Sequence, residues 1–135
     1  VYILETNGMT LGNDEEFAQQ LARFKNLHVR VSIKGTDKDE FHQLTNAIPT
    51  SYELPFKALR YLIDAGVSCN ACVMISFSDE DGIRAVENKL SEIRPGLLKS
   101  LEKEHITPFP KVARRLSENG LKPNSIAFKG KVVNL

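Results

Sequence analysis

Short runs rich in β-branched and apolar residues alternate four times with segments of helical period. That alternation constrains the fold of this chain more than any other feature. Strand-like runs cover Val1–Glu5, about His28–Lys34, about Val67–Phe77 and Lys103–Thr107. After the first, Asn13 with Glu16 has the spacing of a capping box, and Phe17, Leu21 and Phe24 recur behind it. Thr50 and Glu53 repeat the box ahead of Leu59, Leu62 and Ile63, and Gly66 is placed to stop that helix. Ser78 opens a helix whose acidic first turn, Asp79–Glu80–Asp81, suits the positive end of the dipole. Ile83, Val86, Leu90 and Ile93 form its apolar stripe. Lys111–Asn119 reads as a short last helix ended by Gly120, and the tail SIAFKGKVVNL as a strand or a hairpin about Lys129-Gly130. Strands separated by helices predict a parallel α/β sheet. With 135 residues and neither internal repeat nor linker, residues 1–135 are expected to form one domain.

Two architectures fit this order, an open doubly wound sheet and part of a (β/α) barrel. Strand parity bears on the choice, because side chains alternate between faces. In the second strand Val29, Val31 and Ile33 share one face, and Arg30, Ser32 and Lys34 share the other. In the third, Cys69, Ala71, Val73, Ile75 and Phe77 oppose Ser68, Asn70, Cys72, Met74 and Ser76. A sheet with helices on both faces is apolar throughout, so a polar parity implies either a wet edge strand or a cavity. The barrel reading lets these polar faces converge on a ligand-binding lumen. Glu5 and Lys34 then stand at the C-terminal strand ends, where barrel enzymes keep their chemistry.

Composition excludes several function classes. Hydrophobic residues make up 41% and charged residues 26%, the balance of an ordinary globular domain. A net charge of +1 gives no general electrostatic grip on nucleic acid or anionic lipid. No apolar run approaches the ~20 residues that span a bilayer. The start, VYILETNG, enters directly as a strand without an initiator Met or a basic leader, so the chain is expected to be a piece of a longer protein. Cys69 and Cys72 are too few for a disulfide scaffold, and a reducing cytoplasm is the default location. His28, His42 and His105 show no metal-ligand spacing; His28 and His42 read as solvated, the latter in a loop. KGTDKDE reads as a solvated loop over the barrel mouth. KVARR reads as a solvent-facing basic helix face, with a phosphate or an acidic partner as the functional alternative.

ETNG at the end of the first strand, VSIKG closing the second, FHQLTN before a helix, and SFSDEDG after the third strand occur in order over about Val1–Pro110. In this the chain resembles radical S-adenosylmethionine proteins, most closely the activating enzymes of glycyl-radical enzymes, typified by that of pyruvate formate-lyase. The resemblance implies the C-terminal part of a partial (β/α) barrel, beginning at its third strand. It implies S-adenosylmethionine as cofactor, cleaved to a 5′-deoxyadenosyl radical by a [4Fe–4S] cluster, with a glycyl-radical protein as the substrate of the closest members. The family's CxxxCxxC motif and GGEP-like motif are not in this sequence, so the cluster ligands are expected upstream. Cys69 and Cys72 are no substitute, since they lie on opposite parities. Carried over residue by residue, Glu5 matches an acidic residue near the adenosylmethionine, and Asn7 belongs to the same motif. Ser32 and Lys34 match a polar pair on the next strand, where activases carry Asp and Lys. Asn70 falls at or near a family Arg, and Pro110 stands where the family pattern ends in His. Loss of the preceding barrel strands leaves the first strand with an unpaired edge, which invites self-association. Two further classes stay open: a non-redox α/β module holding a small anion at Lys34 and Arg30, and an interaction domain whose polar face is simply wet.

Overall fold

The computed structural model describes residues 1–135. Four parallel strands, β1 (Tyr2–Thr6), β2 (Leu27–Lys34), β3 (Ser68–Met74) and β4 (Glu102–Glu104), lie side by side in sequence order. Six helices accompany them: α1 (Met9–Asn13), α2 (Glu15–Leu21), α3 (Lys38–Thr45), α4 (Leu54–Asp64), α5 (Glu80–Ile93) and α6 (Pro110–Glu118). An antiparallel hairpin, β5 (Ser125–Phe128) and β6 (Lys131–Asn134), ends the chain. The α/β class and the parallel sheet are as the alternation predicts; the sheet is open, and no closed barrel forms. No helix is long and apolar enough to cross a membrane.

Right-handed crossovers that always advance to the same edge put every connecting helix on one face. The core obeys that geometry. Val29, Val31 and Ile33 are wholly buried, and Ala71 and Val73 of β3 continue the same parity. Against them pack Leu11 of α1, Leu21 of α2, Phe41 of α3, Leu59 of α4 and Leu90 of α5. The other parity, with Arg30, Ser32 and Lys34 half-buried, contributes nothing to this cluster. Register places Glu5 opposite Arg30, Arg30 opposite Asn70, and Cys72 opposite Glu102.

Several local expectations are corrected. Asn13 does not open a helix; it closes α1, its amide donating to Met9 O at 3.1 Å, and Asp14 caps α2 by accepting from Phe17 N. Phe24 lies beyond α2 and is half exposed. KGTDKDE is not a loop: Asp37 caps α3, accepting from Glu40 N at 2.8 Å, and its Lys38–Glu40 stretch is helical. His42 therefore lies on a helix, with Nδ1 bonded to Ala47 O at 2.8 Å. Thr50 is no cap, because Pro49 starts a 3₁₀ turn through Glu53 that runs straight into α4. Asp79 rather than Ser78 caps α5, accepting from Gly82 N at 2.7 Å. The Ser78 hydroxyl instead bonds the Glu40 carboxylate. The third strand ends at Met74, and the fourth is the short Glu102–Glu104. The tail is a hairpin about Lys129-Gly130, both with positive φ.

Candidate functional site

The sheet face opposite the helix-packed core is organised around Arg30. Nη1 donates to Glu5 Oε1 on β1, and Nη2 donates to Glu102 Oε2 and, at 3.3 Å, to Glu104 Oε1 on β4. One guanidinium on β2 thus ties to a strand on either side, in the forked geometry that suits Arg to carboxylates. The Arg30 bond holds the Glu102 carboxyl below its usual range against the opposing effect of desolvation, with bonds from Cys72 and Asn70 adding to it. Burial pushes the Cys72 thiol up to about 11, although Arg30 nearby pulls the other way. Cys72 therefore keeps its proton and donates from Sγ to Glu102 Oε2 at 3.5 Å.

A second chain of polar contacts runs along β3. Asn70, nearly buried, donates from Nδ2 to Ser100 O at 3.1 Å and to Glu102 Oε1 at 3.2 Å. Its Oδ1 faces His28 Nε2 at 2.7 Å, so that nitrogen carries the proton; His28 Nδ1 faces Ser68 Oγ at 2.7 Å. The histidine expected in solvent is thus bridged to two residues of the neighbouring strand. Ligand atoms of Cys72, Glu102 and Glu104 lie within 4.8 Å of one another. Arg30 already balances those carboxylates, and a protonated thiol is a poor metal donor. The cluster is a charge network rather than a cation site.

The residues singled out in the sequence divide into two groups. Glu5, through Oε1, and Asn70, through its bond to Glu102, join the Arg30 network. Glu5 pairs with Arg30 and not with Lys34, which stands four residues farther along β2, about 13 Å at strand rise. Nor does Glu5 hold the turn after β1: Thr6 Oγ1 accepts from Gly8 N at 3.1 Å, and Asn7 Oδ1 accepts from Met9 N at 3.0 Å. Asn7 thereby holds the turn just ahead of α1, one residue before its N-cap Gly8. Ser32 and Lys34 share the charged face, and neither side chain has a partner within the chain: Lys34 stands in no ion pair, and the Ser32 hydroxyl makes no hydrogen bond. Glu102 and Glu104 were not foreseen. Their signal was the alternation Glu-Lys-Glu, which sends both carboxylates to one face while Lys103 reaches Glu87 on the other, 2.6 Å away. The chain matches no family model, no curated protein and no solved structure.

Proposed function

We propose that the chain is an arc of a (β/α) barrel of the radical S-adenosylmethionine type, whose charged sheet face forms part of an adenosylmethionine site. The strand order supports an arc: parallel strands in sequence order, with helices packed against one face only, are what a barrel segment has. A doubly wound sheet reverses its strand order and covers both faces.

Lys34 is the observation that carries the reading. It ends β2 at the C-terminal side of the sheet and has no carboxylate partner, whereas Arg30 on the same face has three. An unpaired ammonium there suits the carboxylate of the methionyl group, and the unbonded Ser32 hydroxyl suits a ribose hydroxyl. Glu5, Asn7 and Asn70 act one layer back, through the bonds already described. Bound adenosylmethionine would supply an adenosyl group for one-electron chemistry at an iron–sulfur cluster. The cluster itself does not fit these residues: Cys69 and Cys72 lie on opposite faces of β3, and burial pushes both thiols up to about 11. Its ligands belong, on this reading, to sequence preceding Val1.

The coding sequence upstream of Val1 is the first test, with CxxxCxxC expected there. The second is calorimetric titration of the reconstituted gene product with adenosylmethionine. Lys34→Ala is expected to weaken binding by about 2 kcal/mol or more, the loss of a paired charge. Lys38→Ala, at the exposed start of α3, should do almost nothing. Equal, negligible effects at both positions sink the role of Lys34. The same free lysine supports a second reading, a non-redox module for a small anion. That module would bind inorganic phosphate as readily as adenosylmethionine, with no CxxxCxxC upstream.

A further inference from the structure

Ser68, His28 and Asn70 stand apart from Lys34, which lies six residues beyond His28, about 20 Å along β2. Register sets His28 beside Ser68 at the start of the sheet. Their hydrogen bonds have one consistent direction. Asn70 Nδ2 donates to Ser100 O and to Glu102 Oε1, which turns Oδ1 towards His28. Oδ1 can only accept, so His28 Nε2, 2.7 Å away, carries the imidazole proton. Nδ1 of that tautomer offers a lone pair, and Ser68 Oγ at 2.7 Å donates to it. The Ser68 proton is thus held by a base whose tautomer is fixed by a buried amide. A hydroxyl, a base within hydrogen-bond reach and a third group orienting that base are the parts of an activated nucleophile.

Ser68 is exposed, and the ground beside it is open. Backbone groups alternate between the two edges of a strand. Ile75 N donates to Glu104 O at 3.0 Å, so the odd-numbered residues of β3 turn theirs towards β4. Cys69 N–H points that way too, but β4 begins only at Glu102, in register with Cys72. Where a strand would have continued there is a cavity of about 260 Å³, bordered by Ser68 and lined by Val67, Cys69, Arg94, Leu97 and Ser100. Arg94 is exposed, stands in no ion pair and lies near enough to pull on the Cys69 thiol. The cavity thus joins apolar walls to a cation and a backbone N–H from the residue after the serine.

We infer that Ser68 is an acyl-accepting nucleophile, with His28 as its general base and Asn70 as a positioning residue, in a site that cleaves esters of short apolar carboxylic acids. Ser68 Oγ attacks the ester carbonyl carbon as its proton passes to His28 Nδ1. That proton then goes to the leaving oxygen, which departs as an alcohol and leaves the acyl group on Ser68. Water, giving a proton to the same nitrogen, displaces the acyl group as a carboxylic acid, and the proton returns to Ser68 Oγ. Throughout, Asn70 Oδ1 keeps its bond from Nε2–H. Cys69 N–H and Arg94 are the donors nearest the developing oxyanion. The walls of Val67 and Leu97 suit a short apolar chain. Cys69 is not the nucleophile, since burial pushes its thiol up to about 11.

The whole chain, incubated with p-nitrophenyl butyrate and separately with a fluorophosphonate, tests this. Nitrophenol release is expected, and peptide mass mapping should place the phosphonate on Ser68. Ser68→Ala should abolish both, and Cys69→Ala should leave both intact. His28→Ala should slow acylation by about 100-fold or more, and added imidazole should restore part of the rate, which loss of a merely structural bridge would not allow. Asn70→Asp keeps an acceptor for Nε2–H and should retain more of the rate than Asn70→Leu, with circular dichroism unchanged. A wild-type chain that leaves Ser68 unlabelled overturns the inference. So does labelling that persists at full rate in His28→Ala, or that disappears in Cys69→Ala.

Discussion

Arg30 shares its face of β2 with Ser32 and Lys34, yet it alone is matched by carboxylates, from positions 25 residues before it and 72 and 74 residues after it. Strand parity assigns Arg30 to the polar face. It cannot say that Glu5, rather than a ligand, meets the guanidinium, because that depends on the register between strands, which no local pattern encodes. The consequence for stability has a definite sign. The folded-state carboxyl of Glu102 lies below its unfolded value of about 4.3. Its contribution is therefore fully present above that pH and lost as pH falls through the lower, folded value. Chemical denaturation of wild type and Glu102→Gln at pH 6 should differ by about 1 kcal/mol, a modest figure because both partners are partly solvated. The difference should close as pH falls below about 4. A gap that widens on acidification would remove Glu102 from the network.

Elements differed in how legible they were. β2 was readable almost to the residue, since alternation between a buried and a half-buried face is the strand signal itself. α1 and α3 were missed. The Asp37/Glu40 pair that caps α3 has the capping-box spacing, but its helix buries only Phe41 and so lacks an apolar stripe. α1 is five residues long and contains Gly12, a composition with little helical preference of its own. Packing against α4 accounts for it. A Cβ at Gly12 would collide with the Leu54 carbonyl oxygen and stand 2.8 Å from Leu54 Cα. Gly12→Ala, which intrinsic propensity alone would favour, should instead destabilise by about 2 kcal/mol through overpacking against backbone. The midpoint of thermal unfolding reads the outcome, and an unchanged or raised midpoint would show that the two helices are not in firm contact.

For the whole molecule, strand order follows from the alternation, and the one-sided core follows from parity. The partition of the charged face between Arg30 and Lys34 does not, because long-range register decides it. The unpaired edge expected of the first strand is present: β1 bonds to β2 alone, and Tyr2 and Ile3 are exposed along it. The tail does not shield it, since the hairpin attaches instead beside Ser76 and Ile106. Such an edge templates a further strand. Sedimentation velocity should show association that grows with concentration, and Ile3→Lys should suppress it by charging the edge. A wild-type chain that stays strictly monomeric over a wide range, with this edge uncovered, would count against the barrel-arc reading.

The attachment of α6 and the hairpin has a consequence in time as well as in space. They hold to the sheet through few bonds: Asn124 N to Ser76 O at 2.6 Å, Ala127 N to Ile106 O at 2.9 Å, and His105 to Ser125 at 2.7 Å. With no apolar side chain of α6 in the core, little opposes their detachment while the sheet stays whole. Local opening of this kind proceeds at a free energy far below the global value. Amide deuteration should therefore separate two cooperative units. The amides of Ala113 to Leu116 should exchange through a shallow opening, and those of Val31 and Val73 only when the entire chain unfolds. A protease sampling the native ensemble would accordingly cut first near Pro108 and leave the parallel sheet intact.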